Sequence, residues 1–407
     1  MIQQHLTQNL EQIQTPEESI CPNCSHQGLS IFYEVHNVPV HSCLMLSNQQ
    51  EALDFPRGDI LLGYCHHCGF ITNLAYDPKW SAYAPNYEDQ QSFSPTFNKF
   101  ALDLANHLIK KHDLHNKDIM EIGCSKGDFL LLLCELGNNR GVGIDPSVVP
   151  GRVESVAGDR VIFIPEYYDQ HHAQYVGDFI CCRHTLEHIQ PTAEFLQKLR
   201  HSIGTRTQTT VFFEVPDTHR VLKDSAFEDI YYEHCSYFTP GSLSRLFRNN
   251  GFAVTDLHRS YGNQYLLIEA RPVAVTSDKI HPLEESIEQT ASNVQAFASK
   301  IQKHLERWKR YLQKLQSQGK RTVIWGSGSK CVAFLTTLDA VDQVQYVVDI
   351  NPHRQGKFIP GVGKEIVSPE FLRDYQPDHV IVMNSIYCQE IQQMLNTMGL
   401  MSEVIAL

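Results

Sequence analysis

A strand-then-helix alternation runs through this chain twice, each time led by a strand that enters a glycine-rich turn. The first block reads DIMEIG, FLLLLCELG, GVGID, VIFI, DFICCRH, TAEFLQKLRHSI, TTVFFEV, SLSRLFRNNG, FAVTDLHR and YLLIEARP. Its short apolar runs, separated by helical patterns, predict a parallel sheet covered on both faces. The last two strands follow each other without a helix, which predicts an antiparallel hairpin closing that sheet. The second block starts at Arg321 with TVIWGSG, KCVAFLTTL, VQYVVDI, HVIVMN and EIQQMLNTMG. The fold class is therefore α/β, with a Rossmann-like core and a smaller second Rossmann-like unit behind it. Between the blocks, 279–318 contains no glycine, and Val294, Phe297, Ile301, Leu305, Trp308, Leu312 and Leu315 recur at spacings of three and four. That period predicts an amphipathic helix packed on a domain, with a short coiled-coil contact as the alternative.

At roughly 150 residues per domain, 407 residues give two to three domains. The composition shifts divide the chain at 1–85, 86–275 and 276–407. Residues 1–19 are polar and expected to fray. The stretch 20–80 is rich in Cys, Pro, Gly and turn residues and too poor in apolar runs to build a core alone, so it needs a staple. With 34 Lys and Arg against 46 Asp and Glu, the net charge is −12, which argues against a nucleic-acid partner. No apolar run approaches the length of about 18 residues that spans a membrane, and the N-terminus lacks the basic and apolar regions of a secretory leader. The expectation is a cytoplasmic protein with no membrane partner.

The staple is visible in the twelve cysteines. Cys21-Pro-Asn-Cys24 and Cys65-His-His-Cys68-Gly69 form two CxxC turns with 40 residues between them. Two such turns aim four thiolates at one point, which suits a closed, structural Zn²⁺. A redox CxxC is the alternative, and His26, His66, His67 or Cys43 are substitute ligands. The remaining cysteines sit in apolar contexts and read as buried thiols.

The first glycine-rich turn is Glu121-Ile-Gly123-Cys-Ser-Lys-Gly127. Gly123 and Gly127 let the backbone approach a ligand, and the next helix offers free N–H groups. Asp145 ends the following strand, 18 residues after Gly127, where an acid accepts both hydroxyls of an adenosine ribose. The spacing is not the GxGxxG of a pyrophosphate site, and Glu121 suits a cationic sulfonium and amino group. His184, at the end of the strand DFICCRH, faces cofactor or substrate, since ligands bind at strand carboxyl ends. Glu187 and His188 open the next helix, with helix capping as the alternative. The run Asp229–Thr239 packs an imidazole, a carboxylate and phenols together (IYYEHCSYF) before a helix begun by Thr239 with Pro240 at its first position. By itself this is an ordered, aromatic-rich polar loop.

Gly123, Gly127, Asp145 and HTLEHI resemble the class I S-adenosylmethionine-dependent methyltransferases. With the four-cysteine module in front and the second α/β unit behind, residues 20–407 resemble the three-part C-methyltransferases that act on nucleotide-linked 4-keto-deoxysugars. The resemblance implies S-adenosylmethionine held by Glu121, Gly123, Gly127, Asp145 and His184, and structural zinc on Cys21, Cys24, Cys65 and Cys68. It implies a small-molecule acceptor such as a nucleotide-sugar. The family's loop is close to I-Y-H-E-H-x-S-Y-F. By that match His234 is the general base, with Glu233 and Tyr231 positioning the substrate or its enolate. A Tyr from the stretch holding Tyr83 and Tyr87 covers the site in that family. Two segments differ from the family pattern. Arg183–His188 stands where Asn-Asn-x-Leu-Ala-His is usual, and Gly262-Asn263-Gln264 stands where Gly-Gly-Ser is usual.

The second turn, Trp325-Gly326-Ser327-Gly328-Ser329-Lys330, lacks the third glycine of a dinucleotide fingerprint. It reads as a substrate phosphate or sugar contact by Ser327, Gly328 and Lys330, a purely structural turn, or a dinucleotide site. Arg183, Lys330, Arg354 and Lys357 are candidates for a local basic pocket. The rival readings are an O- or N-methyltransferase of a non-sugar metabolite, separated by deuterium washout from a keto acceptor, and a non-catalytic zinc-bearing scaffold, separated by titration with S-adenosylmethionine.

Overall fold

The computed structural model describes residues 19–80, 83, 85–276 and 279–407; the stretch 1–18, expected to fray, lies outside them. Three sheets organise the chain. The central one has seven strands in the order Phe252–Ser260, Tyr265–Pro272, Thr210–Pro216, Phe179–Arg183, Asp118–Ile122, Arg140–Ile144 and Val161–Ile164. Its last five members run parallel, and Tyr265–Pro272 pairs antiparallel with both neighbours. The expected closing hairpin is present. The C-terminal sheet has five parallel strands, in the order Ile366–Val367, Tyr346–Val348, Thr322–Trp325, His379–Val382 and Glu403–Ala406. The fold is α/β with a Rossmann-like core and a second α/β unit, as the alternation requires.

The third sheet carries a feature that hydrophobic periodicity does not show. Ser30–Pro39, Arg57–Tyr64 and Ile71–Asn73 form an antiparallel meander, and its fourth strand, Ser236–Tyr237, comes from the central block. Ile71 pairs with Tyr237 and Thr72 with Ser236. Cys235 O accepts from Asn73 N at 3.0 Å and from Thr72 Oγ1 at 2.8 Å. The N-terminal sheet thus uses its open edge, which would otherwise leave unpaired backbone groups, to grip the loop 231–237.

The expected amphipathic helix spans Ile287–Ser317 and starts in a capping box between Ser286 and Gln289. Its apolar stripe packs within the chain and not in a coiled coil. Phe297, fully buried, meets Tyr33 and Phe32 of the N-terminal sheet edge-on at 5.4 and 6.0 Å. Trp308 packs on Phe334 of the helix Ser329–Leu338 at 5.4 Å. One apolar core therefore runs from the N-terminal sheet through this helix into the C-terminal unit. The N-terminal sheet and the C-terminal unit also meet directly. Gly361, at φ +67°, has no room for a β-carbon against the Pro39 ring, and Arg57 donates to its carbonyl. Among the described residues no helix is long and apolar enough to cross a membrane.

Removing the Phe297 ring should cost about 3–5 kcal/mol, the usual range for a buried Phe→Ala change. Chemical denaturation of Phe297→Ala should show a lower midpoint, with the N-terminal sheet and the C-terminal unit destabilised together.

Candidate functional site

The four cysteines converge. Cys21 and Cys68 sulfurs lie 3.7 Å apart and those of Cys24 and Cys65 3.6 Å apart, with all four ligand atoms within 4.8 Å of one another. Sulfurs about 2.3 Å from a tetrahedral ion stand about 3.8 Å apart, so the set fits Zn²⁺. Each CxxC is a turn closed by its own backbone: Ser25 N donates to Cys21 O at 2.8 Å and Gly69 N to Cys65 O at 2.9 Å. Neither turn opens a helix, unlike a thioredoxin-type redox pair. The substitute ligands stay outside: His26 stacks on His67, His66 bonds Ser30 Oγ at 2.8 Å, and Cys43 sits beside Arg354 at 3.5 Å. The cluster rests on the central block, where Arg245 Nε donates to Cys68 O at 2.9 Å.

A cavity of about 1190 Å³ lies between the central sheet's carboxyl ends, the loop 231–237 and the C-terminal unit. At one end are Glu121, Gly123, Ser125 and Asp145. Gly123 has φ +71°, and a β-carbon there would run into the Thr185 side chain. Gly127 likewise faces the Phe163 ring. Both glycines give room first to protein neighbours, which press the turn into shape. Asp145 Oδ2 accepts from Ser125 N at 2.8 Å and Oδ1 from Ser147 N at 2.7 Å, holding the acid at the cavity wall. Glu121 is buried, its Oε2 makes no hydrogen bond, and burial pushes its carboxyl up to about 7. An unpartnered carboxylate oxygen lining a cavity fits a cationic ligand.

His184 also lines the cavity, in a left-handed backbone conformation at φ +49°. Its Nε2 lies 2.7 Å from Glu214 Oε1, and Arg183 donates to the same oxygen at 2.8 Å. Burial opposes charge on this ring, but Glu214 and Glu187 outweigh it and raise His184 from an ordinary 6.5 to about 9. Burial likewise opposes the Glu214 carboxylate, and Arg183 with His184 still lowers it to about 2. Arg183 is paired with Glu214 and lies over the Phe129 ring, 4.0 Å from its centre.

At mid-cavity, a 2.7 Å hydrogen bond joins Tyr231 Oη and His234 Nε2. Burial first, then the neighbouring His188, pushes His234 well below the ordinary imidazole range, so the ring is neutral. His188 packs edge-on against it at 4.9 Å, and its Nδ1 meets Tyr83 Oη at 2.7 Å. Of the two candidate tyrosines both line the cavity, but Tyr83 makes this contact. His188 lies in a short 3-10 turn, Leu186–His188, and caps no helix. Glu187 is buried beside it, with Oε2 unpartnered.

Glu233 departs from expectation. It does not line the cavity. Its buried carboxylate accepts from Ser42 N at 2.9 Å and from Ser42 Oγ, and lies 3.0 Å from His41 Nδ1. Burial disfavours that charge, yet His41 and Ser42 hold the carboxyl below its ordinary range. The reason is geometric: Tyr231–His234 is a turn closed by His234 N donating to Tyr231 O at 3.1 Å, and Glu233 at its centre is directed to His41 and Ser42 while His234 lines the cavity. Nothing in the sequence marks His41 and Ser42. Glu214 was detectable, because it is an acid inside the apolar strand VFFEV.

The second glycine-rich turn closes the cavity's far end. Ser327 is fully buried, its N and Oγ donating to Asp349 Oδ2 at 2.9 and 2.6 Å. Arg354 Nη1 donates to Ser327 Oγ at 3.1 Å and lies over Gly328. Gly326, Gly328, Ser329 and Lys330 line the cavity, and Ser327 with Arg354 fixes the turn's shape. Lys330 is paired with Asp229, and Lys357 reaches Ser47 at the surface, 2.9 Å away.

Residues 89–257 match the methyltransferase domain family, and residues 271–401 match the C-methyltransferase C-terminal domain family. Fold and site together define a class I S-adenosylmethionine-dependent methyltransferase. The chain joins a methyltransferase domain to a C-methyltransferase C-terminal domain. It is 27% identical over 322 residues to C-methyltransferase NovU of Streptomyces niveus, across 71% of this chain and 73% of that one. Among solved structures, the N,N-8-amino-8-demethyl-D-riboflavin dimethyltransferase RosA of Streptomyces davawensis is 17% identical, covering 44% of this chain and 56% of that one at a TM-score of 0.34. The magnesium protoporphyrin IX methyltransferase of Synechocystis PCC 6803 is 13% identical, covering 46% and 90%, also at 0.34.

The ion pair at His184 has a pH signature. A ring raised from 6.5 to about 9 contributes stability in full below pH 6.5 and loses it as pH climbs through about 9. Glu214, lowered from 4.5 to about 2, contributes above 4.5 and loses its share as pH falls through about 2. An NMR titration of His184 should show a midpoint near 9, and in Glu214→Gln that midpoint should move down toward 6.5.

Proposed function

We propose that this C-methyltransferase methylates the carbon next to a ketone, with His234 as general base and a nucleotide-linked keto-sugar as the acceptor class. The observation that carries this reading is the neutral, buried His234 hydrogen-bonded to Tyr231 in mid-cavity. Carbon next to a carbonyl becomes nucleophilic only after losing a proton, and a neutral imidazole takes that proton near pH 7.

In the tautomer with hydrogen on Nε2, His234 donates to Tyr231 Oη. That leaves the Tyr231 hydroxyl hydrogen for the oxygen that gains charge, and the Nδ1 lone pair for the substrate proton. The C–H electron pair then forms the new carbon–carbon bond. S-Adenosylmethionine, when bound, supplies the electrophilic methyl group. Asp145 would hold its ribose, the Gly123–Gly127 turn its body, Glu121 its amino end and the cationic His184 its carboxylate. Tyr83 and His188 shape the acceptor side, and the unpartnered Glu187 oxygen suits an acceptor hydroxyl. Lys330 and the helix Ser329–Leu338, whose Gly328 cap supplies no side chain, face an anionic portion of the acceptor. Glu233 is a positioning residue that acts through the loop. The fit of the four sulfurs supports a structural Zn²⁺ on Cys21, Cys24, Cys65 and Cys68.

In D₂O, the wild-type enzyme should exchange the acceptor's α-proton, and His234→Asn should lose both exchange and turnover by about 10²–10⁴-fold, the range for a general base. Full turnover in a folded His234→Asn protein would overturn the assignment. The acid limb of the wild-type kcat/KM profile should lie below pH 6.5. Cys65→Ser should lose bound zinc by elemental analysis and unfold at a lower temperature than the wild type.

A further inference from the structure

Among the described residues, apart from the cysteines and the mid-cavity groups, one more set of metal-binding side chains comes together. After the edge strand Val161–Ile164, the chain places Glu166, His171 and His172 at the cavity rim, with one ligand atom of each within 4.8 Å of the others. Glu166 Oε2 lies 2.9 Å from His171 Nε2 and 3.4 Å from His172 Nε2. Nitrogen and oxygen ligands about 2.1 Å from a tetrahedral ion stand about 3.4 Å apart, so these atoms already approximate the edges of a coordination sphere.

His172 supplies the independent observation. It is only 1% exposed, yet its Nε2 makes no hydrogen bond. A buried ring nitrogen whose acidic neighbour stands 3.4 Å away with no hydrogen bond formed is poorly satisfied unless an ion is shared between them. Its Nδ1 lies 3.2 Å from Asp169 O. If Nδ1–H donates there, Nε2 presents a lone pair toward Glu166, the way backbone carbonyls orient metal-bound imidazoles. Asp169 N, 3.1 Å from the same Nδ1, would favour the other tautomer, so a bound cation would choose between the two. Tyr168 stacks on the ring at 5.9 Å and keeps it in place.

We propose that Glu166, His171 and His172 bind a divalent cation of the Zn²⁺ or Cu²⁺ class, with water completing its coordination. Three protein ligands leave an open position, unlike the closed four-cysteine set. Occupation would tie down the rim. Tyr167 lies between the ligands, and its hydroxyl accepts from Tyr83 N at 3.0 Å, so the cation would steady the segment that brings Tyr83 to His188. The proposal does not depend on the role of His234.

The test uses the full-length protein, loaded with Zn²⁺ and then dialysed against Zn²⁺ alone. His171 and Glu166 are more than half exposed, at 60% and 55%, so His171→Ala and Glu166→Gln should keep the fold. Each variant should hold one fewer Zn²⁺ per chain than the wild type, with rim affinity down by more than about tenfold. Cu²⁺ at the rim should give an electron paramagnetic resonance signal with nitrogen hyperfine lines that His171→Ala simplifies. Equal zinc content in wild type and His171→Ala, or no nitrogen-coupled copper signal, overturns the proposal.

Discussion

The Glu233 carboxylate fixes the centre of this molecule. It is buried away from water, where an uncompensated charge would cost several kcal/mol. Ser42 and His41, from the N-terminal sheet's loop, satisfy it. Three residues on, Ser236–Tyr237 completes the same sheet. From the opposite side Cys235 N donates to Glu187 O at 3.0 Å, and Ser236 Oγ to Ile189 O at 2.7 Å. A loop held on both flanks has little freedom left, and that restraint lets a neutral imidazole and a phenol stay within one hydrogen bond of each other.

The two glycine-rich turns show one device used twice. In each, an acid at the end of the next strand accepts from the turn's backbone: Asp145 from Ser125 N at 2.8 Å and Asp349 from Ser327 N at 2.9 Å. Each acid's other oxygen caps its own chain two residues on, at 2.7 and 2.9 Å. The first turn is left open to the cavity, with the unpartnered Glu121 oxygen beside it. In the second, Arg354 and the buried Ser327 fix the turn's shape, while Gly326 and Gly328 line the cavity. Topology alone would assign both a nucleotide; the side chains around them give each turn its own chemistry.

Much of this was legible in the sequence because it is local. The two alternations, the closing hairpin, the connecting helix and the cap at Thr239 rest on periodicity and capping chemistry, which neighbours along the chain decide. Cys21, Cys24, Cys65 and Cys68 were legible because metal chemistry restricts spacing. What sequence did not show depends on distant partners. Glu233 reads as an active-site acid until His41 and Ser42, about 190 residues away, are seen to take it. Arg183 reads as a free cation until Glu214 claims it. Ser236–Tyr237 is too short to carry a strand pattern, and only the waiting edge at Ile71–Asn73 makes it one.

That borrowed strand bears on how such a protein can change over generations. Order along the chain invites a picture of interchangeable parts, but the part nearest the start folds around a piece of the middle. The long helix and the Gly361–Pro39 contact tie the start to the end as well. A new N-terminal segment acquired by recombination would have to offer an edge, a histidine and a serine to a loop it did not arise with. The segment and the loop should therefore be inherited as a pair.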